Sequence, residues 1–62
     1  MDFKERLKKE KEELGERLEK LNDFIGSEGF NKIDSLQQSL LVVQSGAMLT
    51  YFKCLNERLN NL

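Results

Sequence analysis

The chain has 62 residues, with 10 Lys+Arg against 11 Asp+Glu and a formal net charge of −1. That length allows one domain at most, and a core this small usually needs a disulfide, a metal or oligomerisation to hold it. One cysteine and no histidine exclude an internal disulfide and a structural zinc site, and the charge balance argues against duplex nucleic acid, whose binders carry a basic footprint.

The N-terminal stretch MDFKERLKKEKEEL lacks the apolar segment of a signal peptide. No apolar run approaches the roughly 18 residues that a membrane span requires. With a free thiol and no export signal, the expected location is a reducing cytoplasm. The first helix is expected over about Phe3–Ile25. Asp2 stands at the capping position with Glu5 three residues on, a capping-box spacing. The apolar stripe is Phe3, Leu7, Leu14, Leu18, Leu21, Phe24 and Ile25. From Leu14 to Ile25 the steps are four, three and four, the spacing of a coiled-coil seam. Lys11 takes the seam position between Leu7 and Leu14, so the first three turns are expected to be weakly apolar and to project beyond the core. Glu5–Lys9, Glu13–Arg17 and Glu16–Lys20 are i,i+4 pairs with the acid first, each worth about 0.2–0.5 kcal/mol on a solvated face. Gly15 either sits outside at a cost of roughly 1 kcal/mol relative to Ala or marks a close helix crossing.

The connector is Gly26 to about Asp34. Gly26 stops the first helix after Ile25. Ser27 is placed to cap one short helical turn that Gly29 would end, and Phe30 and Ile33 are expected to plug the closed end of a hairpin. Asp34, with Gln37 three residues later, starts the second helix, expected over Ser35 to about Asn60. Here the apolar residues nearly encircle the helix, beginning with Leu40, Leu41, Val42 and Val43. A strand over SLLVVQ is the competing reading, outweighed by the helical period that follows. One stripe is Leu36, Leu40, Val43, Ala47, Tyr51 and Cys54. The other is Leu41, Met48, Phe52, Leu55, Leu59 and Leu62. At 100° per residue their centres lie roughly 110° apart. Val42 and Leu49 add a third apolar side. Ser45, Gly46 and Ala47 are small enough to let a backbone or a ligand approach, a tight helix crossing being the simpler use.

The second helix carries far more apolar surface than the first can cover. The short connector predicts an all-α antiparallel two-helix hairpin over residues 1–62 as a single domain. One stripe of the second helix packs on the first helix, and the other would face water as a patch that soluble monomers rarely show. Pairing that stripe with its copy around a two-fold axis is the simplest closure. The expected assembly is a homo-oligomer, dimer or higher, in which the hairpins form a helical bundle. The expected interface is Leu36, Leu40, Val43, Ala47, Tyr51 and Cys54.

Enzyme chemistry has little to draw on. There is no histidine for acid–base work, and Cys54 on an apolar stripe reads as a buried small hydrophobe. IGSEGF lacks the Lys–Ser/Thr ending and preceding strand of a phosphate loop. No catalytic activity, cofactor or metal site is expected. The last turns of the second helix do mix polar and aromatic groups. Tyr51 could stack on a base, Lys53 and Arg58 could hold a phosphate, and Asn56 could bond a base edge. The competing readings are a core Tyr51 with its hydroxyl in water, and Lys53 and Arg58 complementing the helix dipole. Tyr51 and Arg58 lie on or near the stripe assigned to a partner chain, at the rim of an oligomer interface.

The pattern EKEELGERLEKLNDFI, then GF, then SLLVVQSGAMLTYFKCLNERL resembles small helical-hairpin proteins of tailed phages and prophages. Glu10, Lys11, Leu14, Leu18, Leu21, Phe24, Ile25, Phe30, Leu40, Leu41, Gln44, Met48, Tyr51, Leu55 and Arg58 carry the likeness over nearly the whole chain. Some phage hairpins of this size belong to the anti-CBASS and anti-Thoeris sponge proteins, oligomers that sequester cyclic nucleotide immune signals between subunits. The resemblance implies an anti-defence nucleotide sponge acting in a bacterial host cytoplasm. The alternative is a coiled-coil interaction module that docks on a host or phage protein.

Overall fold

Two aspartates start the helices of this hairpin. In a computed structural model that describes residues 2–62, the Asp2 carboxylate accepts a hydrogen bond from the Glu5 backbone N–H at 2.8 Å. Asp34 accepts one from the Gln37 N–H at 2.8 Å. Each aspartate thereby satisfies one of the donors that a helix start leaves orphaned. Helix α1 spans Phe3–Ile25, a 3-10 turn spans Glu28–Lys32, and α2 spans Ser35–Asn60. The β-branched pair Val42–Val43 lies inside α2, so the helical period prevails over local strand propensity.

Side-chain bonds across the pair set an antiparallel register. Lys11 Nζ donates to Asn56 Oδ1 at 2.7 Å, and Ser45 Oγ donates to Asn22 Oδ1 at 2.6 Å. The result is a rod of 43 × 16 × 14 Å.

The core is thin. Leu7, Leu14, Leu18 and Leu55 are the buried apolar residues among those described. Leu7, Leu14 and Leu55 form one cluster, with Met48, Phe52 and Leu59 packed against it. The stripe of α2 that covers α1 is therefore the one running through Met48, Phe52, Leu55 and Leu59. Leu62 drops out of it, 62% exposed beyond the helix end.

Helix α1 departs from expectation at both ends. Its first turns do not project beyond the core: Leu7 is only 3% exposed, because α2 runs back far enough to lay Leu55 and Leu59 over it. Lys11 does not interrupt the packing either. Its ammonium sits 5.5 Å from the Phe52 ring centroid while bonding Asn56, and its apolar stem lies along the interface. Phe3 and Phe24 are 52% and 38% exposed, since they flank the seam rather than centre on it.

Gly15 marks a close crossing. A Cβ added there would meet a Phe52 ring carbon at 3.1 Å. Gly15→Leu is expected to cost about 1–3 kcal/mol by overpacking. Gly15→Ala should be close to neutral, its gain of about 1 kcal/mol in helix propensity opposing the tight ring contact. Urea unfolding of the two variants checks the contrast. Gly46 behaves differently, with no atom within 4 Å of an added Cβ. Of the three consecutive small residues, only Ser45 bonds to α1. Gly46 and Ala47 are exposed, turned away from the crossing they were expected to serve.

The connector also differs in detail. Gly26 follows α1 and donates to the Asn22 carbonyl at 3.1 Å. Ser27 precedes the 3-10 turn, yet its hydroxyl bonds back to the Phe24 carbonyl at 2.6 Å instead of capping forward. Gly29 lies within the turn rather than ending it. A Cβ there would meet the Phe24 ring at 3.2 Å, and Phe24 in turn meets Phe30 edge-to-face at 6.2 Å. Gln38 of α2 donates to the Phe30 carbonyl at 2.8 Å. Phe24 thus joins half-buried Phe30 and Ile33 at the closed end.

Candidate functional site

Sequence reasoning has Tyr51, Lys53 and Arg58, with Asn56, meet a ligand between subunits, contributed by two chains. A helix turns 100° per residue, which separates them. Tyr51 and Arg58 are seven residues apart and share a face, about 10 Å along the axis. Lys53 is exposed, and its two-residue offset from Tyr51 puts it on nearly the opposite side of α2. Asn56 is half-buried and its carbonyl oxygen is already bonded by Lys11, on the Phe52 side of the hairpin. A single chain brings together Tyr51 and Arg58 and leaves Lys53 and Asn56 elsewhere.

Arg58 has a partner that the helix pattern alone did not indicate. Its guanidinium carbon lies 5.7 Å from the centroid of the Phe3 ring. The antiparallel register brings the start of α1 beside the end of α2, and the two side chains meet across the open end of the hairpin. Phe3, Arg6, Leu7, Glu10 and Arg58 line a depression of about 310 Å³ there. Phe3 had been assigned to the seam, and Arg6 had no assigned role. Their one signal in the sequence is position, since residues near the start of the first helix of a hairpin must sit beside the end of the second.

The face of α2 that carries Tyr51 is otherwise apolar and open. Leu36 is 65% exposed, Leu40 51%, Val43 68% and Tyr51 45%, and Ala47 and Cys54 are exposed with them. The stripe runs continuously from the closed end to Arg58. Val42 and Leu49, more than two-fifths exposed, stand on the opposite flank.

Residues 1–61 match the Sequestin family. The chain belongs to that family. No curated protein and no solved structure matches it. The Sequestin name denotes sequestration, which fits a small all-helical chain whose open surface exceeds its core. No helix of this Sequestin hairpin, among the described residues, is long and apolar enough to cross a membrane.

Proposed function

We propose that this protein is a non-enzymatic, phage-type anti-defence sponge of the host cytoplasm. It assembles as a homo-oligomer and sequesters an anionic cyclic nucleotide between subunits. The observation that carries the reading is the unpartnered stripe Leu36–Leu40–Val43–Ala47–Tyr51–Cys54 in a Sequestin-family hairpin. A contiguous apolar patch of this kind is rare on soluble monomers, and covering it with a second copy brings Tyr51 and Arg58 to a subunit junction. Tyr51 then supplies an aromatic face and Arg58 a charge-assisted hydrogen bond to phosphate. Lys53 and Asn56 reach the same ligand only from a neighbouring chain. Membership of a family named for sequestration supports the holding role.

Thermal shift across a panel of cyclic di- and trinucleotides tests the reading. A ligand at 100 times its Kd should stabilise the native state by about 2.7 kcal/mol. Binding should weaken as salt rises, because phosphate contacts are screened. Arg58→Ala is expected to lower affinity more than tenfold, about 1.4 kcal/mol, without dissolving the assembly, as read by calorimetry and sedimentation together. If no cyclic or linear nucleotide raises the melting temperature, the sponge reading fails.

A further inference from the structure

The depression at the open end of the hairpin differs from the other concavities in what lines it. One of the others holds Lys8, Lys11 and Glu12, but Lys11 is committed to Asn56. A second is lined by Glu19 and Asp23, and a third has no charged group. Only the open end, among these, sets two arginines beside an aromatic ring. Leu7 forms an apolar floor, 3% exposed, and Phe3 an open wall, 52% exposed.

The chemistry of these groups converges on one kind of ligand. The Arg58 guanidinium lies 5.7 Å from the Phe3 ring centroid, and a guanidinium held by a ring face keeps N–H donors free for an oxyanion. Its outer face offers a platform to a flat base, as guanidinium planes do in nucleic-acid recognition. Arg6, one turn of α1 after Phe3, brings a second cation to the same space. Glu10 brings one anion, so the lining carries a net charge of plus one. Glu10 repels a phosphate monoester, which carries nearly two negative charges near neutral pH, about twice as strongly as a phosphodiester, which carries one. The volume of about 310 Å³ lies at the small end of ligand pockets, roughly 300–1,000 Å³.

We propose that this depression is the nucleotide-contact site of each chain. Arg6 and Arg58 hold a nucleotide phosphate, the Phe3 ring and the Arg58 guanidinium beside it receive the base, and Glu10 bears harder on monoesters than on phosphodiesters. The proposal rests on the sequestering reading and adds to it a site built from both helices of one hairpin, with Phe3, Arg6 and Glu10 as new members.

The test uses the full chain, isotopically labelled, titrated with cyclic AMP, AMP and cyclic di-AMP and followed by backbone and arginine side-chain resonances. Cyclic AMP and cyclic di-AMP are expected to perturb Phe3, Arg6, Leu7 and Arg58 first. Arg6→Gln should weaken binding about tenfold with Arg6→Lys recovering part of it, both at an unchanged melting temperature. Lys32→Gln, at the closed end, should leave binding within about twofold. Glu10→Gln should raise the affinity for AMP more than that for cyclic AMP. Nucleotide binding that Arg6→Gln leaves intact, with shifts centred on Leu40, Val43 and Tyr51 instead, would overturn this site while sparing the sponge. Absence of any perturbation by all three probes would overturn this site, and the sponge reading falls with it only if the wider thermal-shift panel is also without effect.

Discussion

Leu55→Ala is expected to cost about 2–5 kcal/mol of folding free energy, the range for emptying a fully buried leucine position. Leu55 is 1% exposed, the most enclosed side chain described, and it joins Leu7 and Leu14 from the opposite helix. Little else compensates for its loss. With so few buried residues, the cavity would open between the two helices of one hairpin, with no third helix of the same chain to collapse against it. Domains are stable by only about 5–15 kcal/mol, and small ones fall at the low end. The variant should therefore lose most of its helical signal near physiological temperature. Urea unfolding at one fixed protein concentration measures the change, since assembly couples to apparent stability. A loss below about 1 kcal/mol would mean that the hairpin is not held at this cluster.

Val43→Glu is expected to abolish assembly by a different route. Val43 is 68% exposed in the single chain, so a glutamate there meets water and leaves the Leu7–Leu14–Leu55 cluster untouched. In an oligomer closed over this stripe the same carboxylate would be buried against its own copy. An unpaired buried charge costs several kcal/mol, enough to exceed a modest interface. Sedimentation should then give the mass of one chain for the variant and a multiple of it for the parent. The two substitutions form a contrast: Leu55→Ala acts on folding at any concentration, whereas Val43→Glu acts through the concentration-dependent part. A variant with the parental mass would exclude this stripe as the contact, and a monomeric parent would refute oligomerisation outright.

Much of the fold was legible because it rests on local rules. Asp2 and Asp34 read as caps since a short carboxylate before a helix has a backbone N–H within reach three residues on. Gly26 and the missing proline set where the first helix could stop and the second could run. The seam Leu14–Leu18–Leu21–Ile25 and the stripe Met48–Phe52–Leu55–Leu59 followed from the helical period. The site was less legible. Tyr51, Lys53, Asn56 and Arg58 are spread around α2, so bringing them to one ligand needs a second chain, which no pattern within one chain specifies. Phe3 and Arg6 lie at the far end of the chain from Arg58, and no local pattern joins them.

The amino-acid sequence by itself determined two helices, their caps, an antiparallel pairing and a surplus of apolar surface on the second helix. These depend on interactions within a few residues, or on counting what one helix can cover. Only the tertiary structure decided how far α2 runs back along α1, and hence that Leu7 belongs to the core and that Lys11 spends its charge on Asn56. The same register turned Gly46 and Ala47 outward and set Arg58 over Phe3 beside Arg6. Register is fixed by the summed fit of side chains such as Phe52 over Gly15, contacts between residues far apart in the chain, which no periodicity along either helix encodes.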